Sequence, residues 1–120
     1  MIFTSYFARL SKLPPDMVPI SISMKAPDQY TGLQYKKLAP KYQFFKQWKR
    51  TRDDAYYIQC FEHEVLAKLD ASPVVEELTA LSGGKPFVLL CYERPEDFCH
   101  RHIVAGWFQK NGYFCEEWRF

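Results

Sequence analysis

Three short apolar stretches of the chain have the length and composition of β-strands. Residues 1–8 are rich in β-branched and aromatic side chains, and residues 18–24 alternate apolar with small polar positions. Pro19 indicates that this second stretch starts there or forms a sheet edge, because proline has no amide to donate. Residues 86–92 are an unbroken apolar run, which is typical of a strand buried on both faces. We therefore expect this third strand to be central.

Four other segments carry apolar residues at the spacing of an amphipathic helix. Aspartates precede the second of them, and such side chains commonly cap a helix start. For the third, we expect Ser72 as the N-cap, Pro73 at the first helical position and a Gly-Gly pair at the end. The fourth is stopped by Asn111-Gly112. The predicted helices cover about 41–50, 53–69, 72–83 and 98–109.

The order of these elements predicts an α/β fold with a small, mainly parallel sheet flanked by helices. A length of 120 residues indicates one compact layered domain spanning 1–120. In parallel sheets, ligands bind in the crevice beyond the carboxyl ends of the strands. Here that crevice is expected at the loop between Cys91 and Cys99.

Composition adds a surplus of aromatic side chains. They make up 18% of the residues, enough for a core and for the lining of a pocket or interface. Phe114, Trp118 and Phe120 close the chain, so we expect the tail to be docked or to form a homodimer interface. We expect no membrane span and no signal peptide, and hence a cytoplasmic protein with reduced thiols.

A concentration of reactive side chains marks the end of the central strand. Cys91 and Glu93 end it, and Cys99, His100 and Arg101 open the following helix. Amides at a helix start bind anions, and an arginine beside them adds a fixed positive charge. The same positive field favours a reactive thiolate.

These residues resemble a family signature. Leu89-Leu90-Cys91-Tyr92-Glu93, followed by Cys99-His100-Arg101 and Ala105, looks like the C-terminal part of the Domain of Unknown Function 488 proteins. Where typical members carry an Asp-Val-Arg motif after the second strand, this chain has Pro19-Ile-Ser-Ile-Ser-Met-Lys25. The resemblance implies a compact α/β domain with a polar pocket and no settled activity.

Three interpretations of the signature stay open. In the leading one, Arg101 and the helix amides hold the anion of a phosphate-bearing small molecule, such as a nucleotide or a derivative of one. Glu93 and His100 would then add polar contacts, and the rings available for stacking on a base are Tyr6, Tyr30 and Tyr92. The second is a hydrolase or transferase that uses Cys91 or His100, with Glu93 as partner. The third is a structural network that pins the last helix to the sheet.

We predict no metal and no cofactor. Cys91, Cys99, His100, His102 and Cys115 are suitable ligand types, but their spacing matches no standard zinc pattern. Neighbouring helix residues such as Cys99 and His100 also point about 100° apart. A phosphatase-like thiolate loop is disfavoured as well, because Asp97 stands where that loop needs an arginine.

Charge is unevenly distributed, although the formal net charge is only +2. Residues 36–52 contain seven basic residues and no acid, whereas the other 103 residues have a balance of −5. An alternative function is therefore nucleic-acid binding through Lys46, Lys49, Arg50 and Trp48. The segment also fits two simpler roles, an amphipathic helix with a solvated basic face or one wall of a pocket over Arg101.

Overall fold

The computed structural model describes residues 1–119 and contains one five-stranded sheet. Its strands are β1 (Ile2–Tyr6), β2 (Val18–Ser21), β3 (Leu33–Gln34), β4 (Phe87–Cys91) and β5 (Cys115–Glu117). The order across the sheet is β3-β2-β4-β1-β5, and every neighbouring pair is parallel. The predicted α/β class with a small parallel sheet is confirmed.

Four helices cover one face of the sheet. They are α1 (Tyr42–Thr51), α2 (Asp54–Glu64), α3 (Ala71–Ser82) and α4 (His100–Lys110). Their apolar stripes pack in one core with Ile20, Phe87 and Leu89 of the sheet. The opposite face is covered by a 3₁₀ helix at Phe7–Lys12 and by neighbouring loops, which pack on Val88 and Leu90. The two faces of the sheet are therefore covered by different kinds of structure.

The apolar run in β4 has the central place that its composition predicts. It lies between β1 and β2, and all five of its residues are buried because layers cover both faces of the sheet. Tyr6 of β1 lies opposite Cys91, and Ser21 of β2 lies opposite Leu90. The carboxyl ends of these three strands consequently meet at one edge of the sheet.

The connections that leave this edge go to opposite faces. After β1 the chain continues into the 3₁₀ helix, and after β2 it leads to Tyr30, and both pack on the face opposite the helices. After β4 it enters α4 on the helical face. Such a divergence of connections opens a crevice beyond the strand ends.

Helix boundaries agree with the sequence where the capping residue is unambiguous. The Asp53 carboxylate accepts a hydrogen bond from the Tyr56 amide at 3.1 Å and caps α2. Gly83 ends α3 with a φ of +66°, a conformation that glycine adopts without a Cβ clash. The predicted N-cap of α3 is wrong: Asp70 is the N-cap and the helix begins at Ala71, two residues before the predicted start at Pro73, so Ser72 and Pro73 lie within its first turn.

Two elements are shorter than the patterns predict, and one short strand was not predicted. The first strand ends at Tyr6, where the chain turns into the 3₁₀ helix, and α2 ends at Glu64 before a separate 3₁₀ turn at Leu66–Lys68. The two-residue β3 lies within the region expected to be an irregular loop. An exposed two-residue strand has too few positions to show alternation.

The tail is docked on the sheet. β5 pairs with β1, the Trp118 amide donates to the Thr4 carbonyl at 2.7 Å, and the Trp118 ring meets Phe3 edge-on. Phe114 is 46% exposed, and Phe120 lies outside the described residues. A homodimer through this tail stays a prediction. Across residues 1–119, no helix combines the length and the apolar character needed to cross a membrane.

A pair of leucine substitutions tests the central position of β4. Leu89 is fully buried and Leu81 on α3 is 40% exposed. Replacing Leu89 with alanine removes core contacts and leaves a cavity, which lowers the free energy of unfolding by about 2–5 kcal/mol. Leu81→Ala is the matched control and should cost far less. Urea unfolding of both variants measures the difference, and equal losses would contradict this packing.

Candidate functional site

A cleft of about 410 Å³ lies at the edge where the strands end. We call it the carboxyl-edge cleft. Segments that follow β2 and β4 form two of its sides, α4 begins at its floor, and α1 with the turn before it forms the remaining wall. Its lining residues are Ser23, Met24, Lys25, Pro40, Phe45, Lys49, Cys91, Tyr92, Glu93 and His100. Its position is the one predicted from the strand order.

His100 lies at the floor of the cleft as a neutral, oriented imidazole. Its Nε2 is 2.8 Å from the Ile22 carbonyl oxygen, which can only accept, so Nε2 carries the proton. Burial lowers the pKa of His100 to about 4, because the charged form would lose its hydration. The other ring nitrogen, Nδ1, is therefore a free acceptor near neutral pH and lies 4.0 Å from the Cys99 sulfur.

Arg101 has no exposed surface, and its guanidinium donates four hydrogen bonds to protein groups. Its Nε donates to Oε1 of Glu117 at 3.1 Å, and Nη2 donates to Oε2 at 2.9 Å. Nη1 donates to the Glu93 carbonyl at 2.7 Å and to the Cys91 sulfur at 3.1 Å. This two-pronged pairing with a carboxylate is the geometry in which arginine binds most strongly.

Neighbouring residues complete the surroundings of this ion pair. The Thr4 hydroxyl donates to Oε1 of Glu117 at 2.7 Å, and the Tyr6 ring lies 5.7 Å from the guanidinium carbon. We predicted that Arg101 holds an external anion. In the structure Glu117 occupies that role, so Arg101 instead fixes the turn that follows β4.

Two of the four cysteines differ from expectation in their oxidation state. Cys91 and Cys99 are joined by a disulfide, so the prediction that all thiols are reduced is wrong for this pair. Cys60 and Cys115 are free, and burial raises the pKa of the Cys115 thiol to about 12. Of the two bonded cysteines, Cys91 belongs to the lining of the cleft.

The lining of the cleft combines positive charge with aromatic surface. Lys25 and Lys49 are exposed lysines of the lining, and the Lys49 ammonium lies 5.5 Å from the centre of the Phe45 ring. Tyr92 is 50% exposed, and its hydroxyl donates to the Lys25 carbonyl. The basic segment of the sequence thus lends a wall to a pocket, as one of its predicted roles has it, but the pocket is not over Arg101, which lies outside the lining.

The other predicted stacking residues lie apart from the cleft lining. The Tyr30 ring packs edge-on against Phe7 on the face opposite the helices, and its hydroxyl donates to the Leu33 carbonyl at 2.6 Å. Burial raises the pKa of Tyr30. Tyr6 ends β1 beside Cys91 and faces Arg101. Of the three predicted tyrosines, the structure brings Tyr92 to the cleft.

Of the four residues in the nucleic-acid hypothesis, the tryptophan is buried and the three basic residues are exposed. Trp48 is only 5% exposed and its Nε1 donates to Asp54 at 2.7 Å, so its ring belongs to the core. Lys46, Lys49 and Arg50 are exposed on α1. A basic surface is therefore present, but the predicted stacking ring is turned inward.

Three residues that shape the site are not identified as site residues by the sequence. Glu117 pairs with Arg101 from a strand three residues long, and no local pattern connects the two positions. Lys25 and Phe45 come from segments that meet only through the sheet and the packing of α1. The uneven charge distribution was the available signal: it indicated the basic segment 36–52 as a nucleic-acid surface or as one wall of a pocket, but it did not identify Lys25 or Phe45.

The fold and the cleft define a small, wholly parallel α/β domain with a polar crevice at its carboxyl edge. A family model described as "Active DUF488-N3 subclade" matches residues 10–112. The chain therefore belongs to this subclade of the Domain of Unknown Function 488 family, which confirms the resemblance seen in the sequence. Comparison with curated proteins and with solved structures finds no significant match.

Two neighbouring glutamates of β5 test the importance of the buried ion pair. Glu117→Ala leaves the Arg101 charge buried without a partner, and we expect a loss of about 3–5 kcal/mol in the free energy of unfolding. The exposed Glu116 is the matched control, and its replacement by alanine should have little effect. Urea unfolding compares the two variants. Equal stability of both would show that the ion pair does not hold the turn.

Proposed function

We propose that this domain binds a phosphate-bearing small molecule, a nucleotide or a nucleotide derivative, in the carboxyl-edge cleft. The observation that carries the proposal is the lining, in which two exposed lysines and two aromatic rings surround a buried, neutral histidine. A phosphate needs positive charge, and a base needs a flat apolar surface. The volume of about 410 Å³ lies within the usual range for small-molecule sites.

The proposed roles follow from position within the cleft. Lys25 and Lys49 are assigned to the phosphate, and the rings of Phe45 and Tyr92 to the base. The Glu93 side chain, half-buried at the rim, accepts hydrogen bonds from sugar hydroxyls. His100 presents Nδ1 as an acceptor at the floor. Arg101 positions the turn and is not assigned to the ligand.

This site is proposed for a cytoplasmic protein, where nucleotides are abundant and where we expect the Cys91–Cys99 disulfide to be reduced. A homodimer through the exposed Phe114 is compatible with it, because Phe114 is not part of the lining. Nucleic-acid binding has weaker support, because the Trp48 ring is buried.

Charge reversal on the cleft wall tests the proposed function. Calorimetric titration of the full chain with AMP and with ADP should show saturable binding, and Lys49→Glu should weaken it at least tenfold by repelling the phosphate. Lys46→Glu is the matched control, because Lys46 lies on the same helix outside the lining. Weakening by Lys46→Glu to the same extent would favour the basic face of α1. Absence of binding by either nucleotide would contradict the proposal.

A second candidate is an enzyme at the same cleft, a hydrolase or transferase acting on the bound molecule. The family model's own description, "Active", favours it, and so does the contact between Arg101 and the Cys91 sulfur. Once reduced, Cys91 beside a guanidinium is favoured as the nucleophilic thiolate. His100 and Glu93 are the available proton-transfer groups.

Turnover separates this candidate from simple binding. Reduced protein incubated with ADP should form product detectable by liquid chromatography if the second candidate holds. Cys91→Ser should then lower the rate at least a hundredfold with little change in ADP affinity, since the lost group acts on the reacting atom. Cys60→Ser is the control, because Cys60 lies on α2 away from the lining. Binding without any product would support the first candidate alone.

A further inference from the structure

Three metal-ligating groups converge beneath the carboxyl-edge cleft. The sulfurs of Cys91 and Cys99 and a ring nitrogen of His100 all lie within 4.8 Å of one another, and all three residues are buried. Cys91 comes from the end of β4, Cys99 from the residue before α4, and His100 from the first residue of that helix. The fold therefore assembles these ligands from the end of β4 and the start of α4.

From this convergence we infer that Cys91, Cys99 and His100, with the disulfide reduced, form a binding site for a thiolate-preferring divalent metal ion of the zinc type. The ligand set is two thiolates and one imidazole, which suits zinc better than hard cations such as magnesium. Three protein ligands leave the fourth tetrahedral position open. Cys91 and His100 line the cleft, so the open position faces it.

The histidine is already oriented as a metal ligand. Metal-binding histidines usually donate the hydrogen of their other ring nitrogen to a carbonyl or carboxylate, which fixes the tautomer. His100 does this through Nε2 and the Ile22 carbonyl at 2.8 Å, while Nδ1 lies on the side of Cys99.

The backbone also leaves room for an ion. The Cα atoms of Cys91 and Cys99 are 7.5 Å apart, so the two sulfurs can separate to flank an ion at the Zn–S distance of about 2.3 Å. Arg101 donates to the Cys91 sulfur from outside the cluster, and its own charge is balanced by Glu117. Such a hydrogen bond from outside the ligand set supports a coordinating sulfur.

The sequence predicts no metal, because the spacing of its cysteines and histidines matches no standard zinc pattern and because neighbouring residues of a helix diverge by about 100°. That reasoning does not apply to Cys99. It is the N-cap of α4, with φ −155° and ψ 142°, and this extended backbone turns its side chain toward Cys91. His102 and Cys115, the other ligand types considered, lie outside the cluster and line a separate cavity beside β5.

Site formation involves a redox step and a proton release. A phosphine reductant converts the disulfide to two thiols and is itself oxidised to the phosphine oxide. Water supplies the oxygen of the oxide and the two hydrogens of the thiols. Binding of the divalent ion then displaces these two protons from the thiols. In a reducing compartment the pair exists as dithiol before any metal arrives.

Cobalt(II) is the probe for the test, because its thiolate complexes have a sulfur-to-metal absorption band. Full-length protein, reduced with a phosphine and desalted without oxygen, should bind one cobalt ion per chain and lose it to equimolar zinc. Native mass spectrometry should then show one zinc ion with the loss of two protons. The oxidised protein, with its disulfide intact, should show neither signal.

Variants identify the ligands. Cys99→Ser should remove most of the cobalt band, whereas Cys60→Ser should leave it unchanged, with circular dichroism confirming that both are folded. Failure of the reduced wild-type protein to bind cobalt or zinc would overturn the inference, and so would an undiminished band in folded Cys99→Ser. The site needs no bound nucleotide, so absence of AMP and ADP binding would leave this result standing.

Discussion

The buried ion pair between Arg101 and Glu117 is the constraint on which the site depends. An arginine with no exposed surface is stable only if its charge and its N–H groups are satisfied inside the protein. Glu117 supplies the charge, and the Glu93 carbonyl and the Cys91 sulfur accept further hydrogen bonds. One side chain of α4 thereby fixes both the last strand and the turn that follows β4. The rim of the carboxyl-edge cleft is a consequence of this pairing.

Topology explains why the cleft lies where it does. β4 is flanked by β1 and β2, and the chain leaves β4 toward the helical face while it leaves both neighbours toward the other. The cleft lies between these diverging connections, so the side chains at the ends of the strands and at the start of the next elements form its lining. Here these are cysteine, glutamate and histidine, with lysine and aromatic residues added by α1 and the segment after β2. The family signature is therefore also the floor and rim of the cleft.

The sequence predicts most of the fold because its signals there are local. A continuous apolar run identified β4 as central, Asp53 marked the start of α2, and Gly83 marked the end of α3. The prediction of Ser72 as the N-cap of α3 was wrong because a Ser-Pro pair also fits inside a first helical turn. The position of the cleft followed from strand order, since that rule concerns topology rather than particular residues.

The chemistry of the site was less predictable because it depends on contacts between distant segments. No spacing rule links Arg101 to Glu117, and only the fold shows that Lys25 and Lys49 share a cleft. The most direct measurement is an amide NMR titration of the full chain with AMP. Binding at the carboxyl-edge cleft should shift resonances of Ser23, Lys25, Tyr92 and His100 and leave those of Gln43, Lys46 and Arg50 unchanged. Shifts confined to the outer face of α1, or no shifts at all, would contradict the proposed site.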